Sequence, residues 1–247
     1  MCRALVLTAL FCVLGSAYPQ PGSSNQKKTE ASPHGAWDAL LKAYVREDGM
    51  VDYKGFLKDR VALETYLGAL KTMPPNDQWT QEAKLAYYIN LYNAGTVALI
   101  LDHYPLKSIR DIDRPWGKKR IRVGTREYSL GDIEHKILRK MGDARIHFAI
   151  NCASISCPQL PNWAFTAQGI DTQLQRVAQD FINDNKRNII TAEKAQVSKI
   201  FKWFRSDFES GETSLIAYLN AFLEQPIAPQ TPMGYLPYDW SLNDSDP

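Results

Sequence analysis

Residues 80–103 read TQEAKLAYYINLYNAGTVALILDH, and this stretch decides the fold class. Thr80 offers the hydroxyl of a helix N-cap, and Glu82 sits in the first turn, where a carboxylate suits the helix dipole. Leu85, Tyr88, Ile89, Tyr92, Thr96 and Leu99 fall on one face at helical spacing. Ala86, Leu91, Ala94, Val97 and Ala98 make much of the remaining surface apolar as well. A helix apolar nearly all round belongs in the interior, with other elements packed around it. Pro105 stops it. Asn90 and Asn93 sit three apart beside the main stripe. Buried amides must be satisfied, so they are expected either to lock neighbouring elements or to orient a substrate.

Outward from this helix, the pattern alternates helices with short extended pieces. On the N-terminal side, Trp37, Leu40, Leu41, Tyr44 and Val45 predict a helix. Asp48-Gly49 marks a turn before an extended stretch, Met50 to Tyr53. Leu57, Val61, Leu67 and Leu70 predict a second helix ended by Pro74-Pro75. On the C-terminal side, Arg120–Val123 and Glu127–Ser129 flank Gly124-Thr125-Arg126 as a hairpin. The basic run around Lys118 to Arg122 reads as its solvated edge. Ser129 and Asp132 start a helix with the stripe Leu130, Ile133, Ile137 and Leu138. The run from Ile146 to Cys152 suits a buried strand, followed by a loop over residues 153–169. Ile170, Leu174, Val177, Phe181 and Ile182 predict another helix, and Leu215, Ile216, Leu219, Phe222 and Leu223 a last one. Residues 235–240 are expected to be extended. The sum is an α/β (α+β) chain: one helix-rich domain with a small sheet, spanning residues 36–247.

Composition supports a globular reading. The 247 residues are 45% hydrophobic, which excludes whole-chain disorder. With 29 basic and 27 acidic residues the net charge is +2, which argues against a dedicated nucleic-acid binder. No glycine pattern matches a nucleotide-binding loop, and no cofactor is expected. Arg3, the apolar run Ala4–Leu14 and Gly15-Ser16-Ala17 read as a secretory signal over residues 1–17, followed by a turn-rich linker over 18–35. The expected location is periplasmic or secreted, with no membrane span after cleavage. Of the four cysteines, the signal would remove Cys2 and Cys12 and leave Cys152 and Cys157.

These two cysteines admit several readings. In an oxidising compartment they could form a disulfide across four intervening residues. Alternatively, Cys152 is a nucleophile at the end of a buried strand, its thiol activated by a histidine or a helix N-terminus. Or both thiols only pack. A zinc site from Cys152, Cys157, His135 and His147 lacks the second CxxC that would support it. Glu134 falls inside an apolar stripe, so its carboxylate must find a partner or titrate abnormally. His135 flanks that stripe. His147 and Asn151 share one face of the expected strand, opposite Cys152. A regular strand therefore leaves His135 as the partner for Cys152, unless the chain breaks near Asn151.

Six separated motifs carry a family resemblance: DGMVDY at 48–53, YINLYNA at 88–94, HYPLKSI at 103–109, SLGDIEH at 129–135, RIHFAINCASISCP at 145–158 and YDWSLN at 238–243. Together they resemble the bacterial, exported branch of the domain of unknown function 547 family. That family is remotely similar to papain-like and transglutaminase-like cysteine hydrolases. The resemblance implies such a fold and a cysteine-dependent hydrolase or transferase acting on amide or peptide-like bonds. It implies Cys152 as nucleophile, His135 as base and Glu134 as orienter. Asn90, Asn93, His147, Asn151 and Cys157 would surround an unidentified small-molecule or peptide-like ligand. Papain-like enzymes carry the cysteine at a helix start, whereas the pattern here puts Cys152 at a strand end. The competing expectation is a non-catalytic binding module with a Cys152–Cys157 disulfide.

Overall fold

The long helix sits where its composition demands. In the computed structural model, which describes Met1 and residues 33–209, 211 and 213–246, helix α4 (Gln81–Leu101) has fifteen buried residues. The signal reading, Cys2, Cys12 and the linker up to residue 32 lie outside the described residues. Thr80 caps α4 by accepting a bond from the Ala83 amide at 3.2 Å. Helices α2 (Tyr53–Lys58) and α3 (Arg60–Thr72) pack against it, and α1 (Gly35–Tyr44) packs on α2 and α3. Tyr87 ties α4 to α3 through a 2.7 Å bond from its hydroxyl to the Leu70 carbonyl.

The second predicted helix is two helices, broken at Asp59. Its inward face is Leu63, Tyr66 and Leu70, while Leu57 and Val61 point to solvent. The expected extended stretch is reduced to Val51, which bridges Val45 on one side and Asp244 on the other. Asp52 then caps α2 through the Gly55 amide, so Tyr53 is already helical.

The hairpin forms as read: β1 (Ile121–Val123) pairs antiparallel with β2 (Arg126–Tyr128), Ile121 opposite Tyr128. Gly124 turns it with φ +57°, a conformation that glycine adopts without strain. A second sheet lies beyond what the sequence spacing predicts. Strand β3 (Ile189–Ile190) pairs antiparallel with β4 (Ala195–Val197), which pairs parallel with β5 (Met233–Tyr235). Strands of two or three residues are too short to show a period of two.

The region from Ser129 to Cys152 departs most from expectation. Asp132–Ile137 is a π-helical turn that passes into a 3-10 turn, Leu138–Met141. The expected strand over 146–152 is a single helical turn, α5 (Ile146–Ala149), followed by extended Ile150. Asp143 starts that turn, its side chain accepting the Arg145 amide at 2.9 Å and its carbonyl accepting the Ile146 amide at 3.2 Å. A short run buried on every side carries no periodicity that separates strand from helix. Helix α6 (Ile170–Ile182) follows as predicted. Short helices α7 (Ile200–Trp203), α8 (Arg205–Phe208) and α9 (Leu215–Asn220) complete the order. Phe148, Phe181, Phe201 and Phe208 form an aromatic cluster with centroids 5.0–6.2 Å apart, which fixes α7 and α8 against α5 and α6.

Candidate active site

The asparagines on α4 build the frame. Asn93 donates to the Ala149 carbonyl at 2.9 Å and accepts the Asn151 amide at 2.8 Å, bracketing the end of α5. Asn90 does the same for Phe165, donating to its carbonyl at 2.8 Å and accepting its amide at 3.0 Å. Asn151 then shapes the cysteine loop: its side chain donates to the Pro158 carbonyl at 2.7 Å and accepts the Ala153 amide at 2.8 Å. Ala153 is held at φ +56°, a left-handed conformation costly for a residue with a Cβ, and the chain reverses there directly after Cys152. Arg187 pins the far side of the loop, donating to the Cys157 carbonyl at 2.8 Å and the Ile155 carbonyl at 3.1 Å.

Residues downstream of position 237 close the loop from outside. Ser154 bridges Leu242, the Ile155 amide donates to the Ser241 carbonyl at 2.9 Å, and the Ser156 amide to the Asp239 carbonyl at 3.2 Å. The same segment reaches back to the N-terminal helices: the Val51 amide donates to the Asn243 carbonyl at 2.9 Å and the Tyr53 hydroxyl to its side chain at 2.8 Å.

Inside this frame lies a cavity of about 260 Å³. Cys152, Cys157, Glu134, His135 and His147 all line it, with Tyr92, Phe204, Tyr238 and three tryptophans. The break near Asn151 is therefore real, and it brings His147 and Cys152 to one cavity. Asn90, Asn93 and Asn151 are not among its lining residues.

Both cysteines are free thiols, with their sulfurs in hydrogen-bonding contact at 2.7 Å. Cys152 also contacts the Ser154 hydroxyl at 3.2 Å and the Tyr238 hydroxyl at 3.4 Å. Burial pushes the Cys152 thiol up, but its hydrogen-bonding contacts with Cys157, Ser154 and Tyr238 outweigh it and bring it below its ordinary value. Cys157 goes the other way: burial and the contact with Cys152 push its thiol well up. The two thiols are thus shifted in opposite directions, Cys152 down and Cys157 up. No hydrogen bond joins Cys152 to either imidazole among the described residues.

Glu134 is buried, and burial pushes its carboxyl up to about 7, against the pull of Arg139 and the Tyr92 hydroxyl. That hydroxyl donates to Glu134 Oε2 at 3.4 Å. His135 stands at the mouth, about half exposed, with Nδ1 4.0 Å from Glu134 Oε1. Burial and Arg139 hold its imidazole below the ordinary histidine value.

The best-oriented imidazole is His147. Its Nε2 lies 2.8 Å from Asp207 Oδ2, and its ring stacks on Phe204 at 4.0 Å. Burial pushes it down to about 4 even though Asp207 pulls upward, so it is neutral at neutral pH. Arg139 grips the same carboxylate with two bonds of 2.6 and 2.7 Å and holds Asp207 down to about 2. Asp207, Arg139, Ser154 and Tyr238 escaped the sequence reading as site residues. Of these, Ser154 and Tyr238 lie in the quoted motifs, and Arg139 and Asp207 do not. Nothing local to Asp207 in α8 points to a histidine 60 residues earlier.

Neither a curated protein nor a solved structure matches the chain. Residues 76–182 match the family described as "Protein of unknown function, DUF547". That span holds Asn90, Asn93, Glu134, His135, His147, Cys152 and Cys157, whereas Asp207 and the ring-bearing residues Trp203, Phe204, Tyr238 and Trp240 lie beyond it. Over this central stretch the chain is similar to the DUF547 family.

Proposed function

We propose that the chain is an exported cysteine-dependent acyl hydrolase or transferase acting on an amide or thioester, with Cys152 as nucleophile. One observation carries the reading. A thiol whose ionisation is favoured sits in a cavity also lined by a carboxyl group poised to exchange protons at neutral pH. In this reading the Cys152 thiolate attacks the carbonyl carbon. The C–S bond forms, the C–N or C–S bond of the substrate breaks, and the leaving group takes a proton from Glu134. Water or another acceptor then attacks the thioester, gives its proton to Glu134, and releases the thiolate. A group titrating near neutrality serves both proton transfers. Glu134 thus takes the acid–base role rather than an orienting one. His135 at the mouth and the Asp207-bound His147 are the imidazoles available to assist. Export to the periplasm or beyond is supported by the signal-like residues 1–17. No helix among the described residues is long and apolar enough to cross a membrane.

The second reading is a binding module with the two cysteines joined, favoured by the contact of their sulfurs and by the absence of a Cys152–imidazole bond. Titration with iodoacetamide before and after reduction separates the two. The enzyme reading expects one thiol, Cys152, to react quickly near pH 7, with Cys157 slow. Glu134→Gln should remove a step near pH 7 from the rate profile. Two sulfurs silent until reduction, or Cys157 reacting first, would sink it.

A further inference from the structure

Beside Cys152 the cavity wall is made of rings. Trp203, Tyr238 and Trp240 contact one another with centroids 4.5–5.8 Å apart, and the Tyr238 hydroxyl reaches Cys152 Sγ at 3.4 Å. Trp203 is 46% exposed, one of the few large apolar side chains that the fold leaves open to water. An exposed indole at the rim of a nucleophile's cavity is surface held for something to cover.

The polar groups of the lining restrict what that can be. Glu134 is engaged by Tyr92, His147 by Asp207, and Cys152 by Ser154, Tyr238 and Cys157. The nearest guanidinium inside, Arg139, is spent on Asp207. The donors left are the half-exposed His135, whose imidazole is held below its ordinary value, and the indole N–H groups, so an anionic group would find no free cation in the lining and a sugar ring too few partners for its hydroxyls. A cationic group would meet Arg139 and also Arg110, which lies 5.5 Å from the Trp240 ring. What fits is a flat group that asks for stacking and area alone.

Resting on the cysteine-nucleophile reading above, we infer that the acyl part of the substrate carries a neutral aromatic side chain next to the scissile carbonyl, seated on Trp203, Tyr238 and Trp240. These rings are then the specificity-determining surface of the site.

Two measurements on the reduced full chain test this. The first is calorimetric binding to Cys152→Ser, where no reaction intervenes. N-acetylphenylalaninamide should bind at least about tenfold tighter than N-acetylalaninamide or N-acetylglucosamine. Trp203→Ala should remove that preference, and Trp203→Phe should restore most of it. The second is the alkylation rate of Cys152. N-benzyliodoacetamide should saturate and outpace iodoacetamide by about tenfold in wild type, and by less than about twofold in Trp203→Ala. Equal rates with equal binding would overturn the aromatic platform and leave the nucleophile standing. Tight aromatic binding with Cys152 inert to both reagents would uphold the platform and sink the nucleophile. A preference for the sugar would overturn the inference and make the platform a glycan site.

Discussion

Helix α4 and the stretch from Asp132 to Cys157 lie against each other and are built on opposite principles. The helix is regular for 21 residues, apolar almost all round, and its two asparagines are fully used. The facing stretch runs through a π-helical turn, a 3-10 turn, one turn of α-helix and a left-handed alanine, and it carries Glu134, His135, His147 and both cysteines. The contrast shows a division of labour. The regular element supplies fixed bonds that hold an irregular backbone, and irregularity lets side chains distant in period converge on one cavity. π-Turns recur at functional sites for this reason.

The first way to break the comparison is to cut the bonds between the two regions. Asn93→Ala strands the Asn151 amide and the Ala149 carbonyl in the interior, and should cost about 3–4 kcal/mol in chemical denaturation. Asn90→Ala should cost somewhat less, since it releases only the Phe165 loop. A loss below about 1 kcal/mol for Asn93→Ala would mean that the irregular stretch holds itself.

The second prediction concerns the buried titrating groups of the irregular side. Glu134 is raised from 4.5 to about 7, so its contribution is present at low pH and lost as pH rises to 7. His147 is lowered from 6.5 to about 4, so its contribution is present above 6.5 and lost as pH falls to 4. Between about 4.5 and 6.5 the Glu134 slope opposes that of His147 and that of His34, which burial also lowers to about 4, so wild-type stability should rise with pH less steeply than the histidines alone demand. Glu134→Gln should steepen that rise by about 2–3 kcal/mol in unfolding free energy between pH 4.5 and 6.5. An unchanged slope in the variant would show that Glu134 is not buried against ionisation.

A smaller effect is expected at the outer edge of the cysteine loop. Arg187→Ala removes the bonds to Cys157 and Ile155 and should cost about 1–2 kcal/mol. Because the loop positions Cys157 against Cys152, alkylation of Cys152 should slow in step, with its pH midpoint moved upward.

The same division decides what could be read from the sequence. Helices α1, α4 and α6 and the hairpin declare themselves through spacing and turn residues, and Thr80 marks its cap. Glu134 was legible too, because a carboxylate inside an apolar stripe is a physical conflict visible in one dimension. The turn at Ile146–Ala149 was not, since four buried residues in a row contain no period. Asp207 and Trp203 were not, because their role exists only after α7 and α8 fold back on α5. The family match stops at residue 182, so five of the fourteen residues lining the cavity lie outside the matched part of the chain.

The clasp formed by residues 238–245 has a consequence for the order in which the molecule comes into being. Tyr238 is 86 residues later in the chain than Cys152, and Asn243 is 190 residues later than the Tyr53 that it binds. At the usual pace of synthesis, 5–20 residues per second, Tyr238 is made roughly 4–17 s after Cys152. For that interval both thiols exist without the rings that will wall them. Pairings this distant in sequence also close slowly. Cys152 is thus older than the wall of its own cavity, and its encounters with oxidants and other thiols during that interval are governed by the cell and not by the fold.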